Sequence, residues 1–177
     1  MSLAELAKLL VESAPNARGV LLRENQPFDA AELARSLQEM CYEVWTDDPP
    51  RVSVIVDVIN EVANDSRSDE VRAYADWMEA IKSVVAGELE ECIRWIESSE
   101  SKFNVLGKPH LAAKTQTSKL YALALLGRYD EAIECGIKAR DVFLAHDDVY
   151  SAGKIENNIG NLYWRRDFYR ESEPFLE

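Results

Sequence analysis

The chain has 177 residues, 20 Lys and Arg against 32 Asp and Glu, a formal charge of -12, and 47% apolar residues. That length fits one domain or a repeat array of similar mass, and the apolar fraction supplies a core, which excludes wholesale disorder. The acidic balance excludes the positive footprint with which a nucleic-acid binder displaces counterions, and it disfavours anionic membrane surfaces.

In chain order the dominant period is helical. A short helix is expected over residues 3–13, with Ser2 and Glu5 as cap and capping box. Residues 14–28 read as the one long connection, in which either Val20-Leu21-Leu22 packs down or the first helix is loosely attached. Asp29 and Glu32 open the next helix, whose Leu33, Leu37, Met40, Cys41 and Val44 make one apolar stripe. Asp48-Pro49 starts another, with Val52, Val56, Ile59 and Val62 on one face. Its Val52–Val56 run also suits a strand, but the cap and the helical neighbours favour helix. Ser68 opens a helix to about Ala86, and further helices are expected near 89–104, 109–126, 129–145, 148–165 and from about 169 to the end.

No run approaches the roughly 18 apolar residues of a membrane span. The first residues, Met1-Ser2-Leu3-Ala4-Glu5, lack the basic and apolar regions of a signal peptide. Cys41, Cys92 and Cys135 are odd in number and form no C-x-x-C pair, which suits small buried thiols in a reduced, cytoplasmic protein.

Sliding the chain against itself by 40 residues gives the strongest pattern. Gly87-Glu88-Leu89-Glu90-Glu91-Cys92-Ile93 falls on Gly127-Arg128-Tyr129-Asp130-Glu131-Ala132-Ile133, then on Asp167-Phe168-Tyr169-Arg170-Glu171-Ser172-Glu173. Each unit is a helix, a tight turn at Gly or Asp, and a second helix. A large residue (Leu89, Tyr129, Tyr169) fills the groove between the helices. A small one (Cys92, Ala132, Ser172) lets them approach. One such hairpin cannot bury its own apolar face, so hairpins stack.

Leu126-Gly127-Arg128-Tyr129-Asp130-Glu131-Ala132-Ile133 and Asn158-Ile159-Gly160-Asn161-Leu162-Tyr163 resemble the tetratricopeptide repeat family. The resemblance implies an all-α fold, a right-handed α-solenoid of antiparallel helical hairpins. Residues 1–28 would be an N-terminal helix and connection, and 29–177 the array, with units at about 30–66, 71–108, 111–148 and 151–177. The period departs from the family's usual 34 or so. Leu120 stands at a small-residue position, Gly136 lies inside a helix, and Pro174 lies near the start of the last one. The unfinished last hairpin suggests a piece of a longer protein and an edge for self-association. The run Ser118–Tyr129, Val142-Phe143-Leu144-Ala145-His146, Ala152-Gly153-Lys154-Ile155-Glu156 and Cys41-Tyr42-Glu43-Val44-Trp45 are similar to bacterial tetratricopeptide regions that precede a caspase-like CHAT domain. That likeness implies, as the alternative function, a regulatory or sensing segment for an effector domain that this chain does not include.

Catalytic signatures are missing: there is no G-x-S-x-G, Walker loop or G-x-G-x-x-G. His110 and His146 lie at predicted helix boundaries without Cys or His at ligand spacing, which reads as surface histidines. The acidic pairs Asp47-Asp48, Glu90-Glu91 and Asp147-Asp148 suit solvated caps and first helical turns. No catalytic residue, metal site or cofactor is expected.

What the family resemblance implies instead is binding of a protein or peptide along the concave face formed by the first helices. It assigns to that face Tyr74, Trp77, Ile81 and Val84, then Lys114, Thr117, Tyr121 and Ala124, then Lys154, Asn157, Asn161, Trp164 and Arg165. Asn157, Asn161 and Arg165 follow i, i+4, i+8 and project from one helical face. Amides can bond both N–H and C=O of an extended peptide, and Lys or Arg can take a carboxylate. Alternatively, the Tyr74 set packs against the preceding hairpin, and the asparagines are solvated or bond neighbouring helices.

Overall fold

In a computed structural model that describes residues 1–175, the chain is all-helical, and the described residues contain no strand. It divides into two compact units, Met1–Gly87 and Glu88–Glu177. The division falls at Gly87, inside the hairpin expected over 71–108.

In the first unit, α1 (Leu3–Glu12) starts with the expected capping box. The Ser2 N–H donates to Glu5 Oε2 at 2.7 Å and the Glu5 N–H to Ser2 Oγ at 3.2 Å. Leu6, Ala7, Leu10 and Val11 are buried, and α1 packs on α3 (Ala30–Val44) and α4 (Pro49–Ser66), so the first helix is part of the core. Residues 14–28 are not a long connection, because most of them form α2 (Pro15–Glu24). Their polar composition hides what anchors them. Leu22 is buried while Val20 stays open. Arg18, nearly inaccessible, donates from Nε to the Leu10 carbonyl at 3.2 Å and from Nη1 to the Glu61 carboxylate at 2.8 Å.

Asp29 caps α3 by accepting from the N–H groups of Ala31 and Glu32. Glu32, however, turns to Arg35 rather than back to the cap. Leu33, Leu37 and Cys41 are buried, and Met40 and Val44 half-buried. The Val52–Val56 run is helical, and Val52, Val56, Ile59 and Val62 are all buried. Asp48 makes no side-chain cap bond, so Pro49, with its φ already helical, starts α4. Ser68 caps α5 (Asp69–Ala86) by accepting from the Val71 N–H at 3.4 Å, and α5 packs on α3 and α4.

The second unit is a row of antiparallel neighbours: α6 (Leu89–Val105), α7 (Pro109–Leu125), α8 (Tyr129–Ala145), α9 (Val149–Arg165) and α10 (Tyr169–Ser172). Each packs on the next, and α7 also touches α9. Two positions before each of these helices stands a residue in the left-handed region: Gly87 (φ 78°), Gly107 (69°), Gly127 (74°), Asp147 (57°) and Asp167 (61°). That conformation ends the preceding helix and, within the second unit, reverses the chain; Gly adopts it without steric cost and Asp at a small one. The helix expected from about 169 to the end is cut short. It stops at Ser172 and passes into a 3₁₀ turn over Glu173–Phe175, because Pro174 supplies no N–H and its ring crowds the preceding turn. Leu176 and Glu177 lie outside the described residues.

Leu120 and Gly136, both irregular as repeat residues, explain each other. A Cβ on Gly136 would lie 2.9 Å from Leu120 Cδ1 and 2.8 Å from Ile159 Cγ1. The missing side chain therefore lets α8 press against the bulky Leu120 of α7 and against α9 at once. α7 is lined by neighbours on most of its surface, and its buried polar groups are paired. The Thr115 hydroxyl donates to the Ala112 carbonyl at 2.7 Å, and Gln116 Nε2 donates to Thr115 Oγ1 at 3.0 Å.

Candidate partner-binding face

In the first unit, the aromatic residues assigned to an inner face belong to the core. Tyr74, Trp77 and Ile81 are each 3% exposed. Trp77 donates its indole N–H to the Tyr42 hydroxyl at 3.2 Å, meets the Tyr42 ring edge-on and stacks on Tyr74. Val84 is half-buried. Trp77 is thus spent on packing, which is the alternative weighed for this set; α3 supplies the cover, and no pattern within α5 announces it.

The second unit is different. Short turns make α7 and α8, and then α8 and α9, antiparallel, so α7 and α9 run in the same direction and touch. On α9, Tyr150, Gly153, Lys154, Asn157, Asn161, Trp164 and Arg165 are all exposed, Trp164 at 58%. Their spacing of three and four places them on one face. From Tyr150 to Arg165 that face runs about 22 Å at 1.5 Å per residue. Lys114, Thr117 and Ala124 on α7 are half-buried, and Tyr121 is 43% exposed.

The polar groups of this face are partly organised by one another. Asn161 Nδ2 donates to Asn157 Oδ1 at 2.8 Å, which leaves the Asn157 amide hydrogens and the Asn161 carbonyl for another molecule. Lys154 Nζ sits 4.7 Å from the centre of the Tyr150 ring, and Trp164 meets Tyr169 edge-on at 6.1 Å. Lys114, Lys154 and Arg165 have no ion-pair partner among the described residues.

Charge is sorted by helix. α6 and α8 each carry four acidic and two basic residues. α7 carries Lys114 and Lys119 and no acid, and the one acid of α9, Glu156, lies 4.0 Å from Arg140 of α8. The same latch occurs twice in the row: Arg128 reaches Glu90 at 3.3 Å and Arg166 reaches Asp130 at 2.6 Å, each tying a turn to the start of an earlier helix.

The three cysteines are free thiols, and burial pushes Cys41 up to about 12 and Cys92 and Cys135 to about 11, so each is held protonated and weakly nucleophilic. Among the described residues no group of three or more His, Cys, Asp or Glu is placed to hold a metal ion, and no helix is long and apolar enough to cross a membrane. A shallow cavity of about 390 Å³ lies beside Ile133, Ile137 and Tyr163, rimmed by Asp130, Glu134 and Lys138. The histidines are not simply surface residues. His110 is half-buried with its ring edge-on to Phe143, and the hairpin brings it beside His146. Their separation along the chain conceals this, since only the packing of α7 on α8 joins them.

Compared with known proteins, the chain matches no family and no curated protein.

Proposed function

We propose that the protein is a non-enzymatic interaction module, and that the α7–α9 face of its second unit grips an extended segment of a protein partner. The observation that carries this reading is the α9 face itself, where an amide pair, two cations with no ion pair among the described residues and an open tryptophan share one side of a helix. Trp and Arg are the residues most often found at binding hot spots. A face of about 22 Å accommodates roughly seven residues of extended chain at 3.3 Å each. The amides suit its backbone, and Lys114, Lys154 and Arg165 suit carboxylates on it. We further propose that the row α6–α10 is a right-handed α-solenoid of the tetratricopeptide kind with a repeat of about 40 residues. The recurrence of left-handed residues at Gly107, Gly127, Asp147 and Asp167 supports this, as does the twice-used arginine latch. The free thiols fit a cytoplasmic setting.

The test is a double variant, Asn161→Ala with Arg165→Ala. Both side chains are exposed, so the melting temperature is expected to stay unchanged. Titration calorimetry with a partner captured by the intact chain is expected to show at least a tenfold loss of affinity. Equal affinity in wild type and variant would move the binding surface elsewhere.

A further inference from the structure

The histidine pair lies at the start of α7 and the end of α8, and the proposed binding face makes no use of it. His110 Nε2 is 2.7 Å from Oδ2 of Asp148. A carboxylate oxygen accepts, so the Nε2 nitrogen donates its proton to Asp148. His146 Nδ1 is 2.8 Å from the carbonyl oxygen of Val142. A carbonyl only accepts, so here Nδ1 carries the proton.

In its neutral form each ring has one nitrogen tied down. The other nitrogen, Nδ1 in His110 and Nε2 in His146, keeps its lone pair and has no partner among the described residues. The ring centres are 5.6 Å apart with the planes inclined by 38°. Two imidazoles sharing a tetrahedral ion through bonds of about 2.0–2.1 Å bring their ring centres to roughly 5–6 Å. Histidines that ligate metals nearly always donate their second N–H to a carboxylate or a backbone carbonyl, which sets tautomer and orientation. This pair has one of each. Both rings are reachable, since the His110 side chain is 29% exposed and His146 lies on the surface.

We propose that His110 and His146 form a two-nitrogen site for a divalent transition-metal ion of the zinc, nickel or copper kind, positioned by Asp148 and the Val142 carbonyl. Imidazole selects this class over Mg²⁺ and Ca²⁺, which take oxygen ligands. With two protein ligands, water fills the remaining positions and binding is reversible. The bound ion would join the end of α8 to the start of α7, with Asp148 linking both to α9.

The experiment is a titration of the full chain with Zn²⁺, and in parallel with Mg²⁺, followed by the imidazole nitrogen resonances at neutral pH. Zn²⁺ is expected to move both histidines together and to saturate at one ion per chain, while Mg²⁺ moves neither. His146→Gln is the decisive variant, because that ring is exposed whereas His110 packs on Phe143. It is expected to weaken Zn²⁺ binding at least tenfold. Asp148→Asn keeps a cap oxygen for α9 and is expected to weaken binding about tenfold by loosening His110. A shift of only one ring, movement of neither, or Zn²⁺ affinity unchanged in His146→Gln would each overturn the proposal.

Discussion

Gly136 shows how one residue decides the spacing of three helices. Glycine in a helix interior costs about 1 kcal/mol against alanine, so Gly136→Ala gains that much in local propensity. The new methyl group, however, would stand under 3 Å from Leu120 and Ile159, which are 4% and 0% exposed and hemmed in by their own neighbours. Overpacking of this kind costs about 1–3 kcal/mol. The net expectation is a loss of roughly 1 kcal/mol from these opposed effects, read as a lower urea midpoint at unchanged slope. Leu120→Ala removes a buried side chain and costs about 2–5 kcal/mol by itself, but the double variant should lose less than the two single losses combined, because the smaller side chain vacates the contact. Arg18 makes the complementary point: a charged residue in a segment that looks like a loop is the anchor that makes the segment a helix.

The helices of the second unit owe their ends to turns and caps more than to apolar runs. α9 begins where Asp148 accepts from the Ser151 N–H at 3.0 Å, satisfying one of the orphan donors of its first turn. The Asp148 carboxyl titrates at about 2 in the folded chain, below the ordinary 3.8, first because of that N–H and then because of His110. Its stabilising contribution is therefore fully present above pH 3.8 and is lost as the pH falls through 2. Asp148→Ala is expected to lower stability by about 1 kcal/mol at neutral pH, the usual worth of a cap. The gap between wild type and variant should narrow on acidification, which thermal melts between neutral pH and pH 2 would follow. α10 shows the opposite case, where Pro174 ends a helix that its spacing had promised.

At the scale of the whole molecule, the thiols report on each compact unit separately. Cys41 and Cys92 are fully buried, one in each unit, while Cys135 is partly open and its Sγ lies 3.3 Å from Gln116 Oε1. Labelling of the native protein with a thiol reagent is expected to reach Cys135 first. Cys41 and Cys92 should react only through opening of their own units, with rates that rise steeply in low denaturant. Equal rates at all three positions under native conditions would contradict the burial described above.

The helices and their turns were legible because both are local properties. A period of 3.6 places α3 to α9, and Gly or Asp before Leu89, Tyr129 and Tyr169 marks helix ends that need a left-handed residue. α2 was not legible, since its anchors come from Leu10 and Glu61, outside its own segment. The candidate face divides in the same way. Spacing put Asn157, Asn161 and Arg165 on one side of a helix, and the family resemblance added Lys154 and Trp164 to it. The resemblance also assigned Trp77 to such a side, and only packing decided that Trp77 is covered while Trp164 is open. Periodicity fixes which residues share a face, whereas what lies against the face depends on contacts between helices distant in the chain. The pairing of His110 with His146 and the fit of Gly136 to Leu120 are of that second kind, set by helix packing that no single segment encodes.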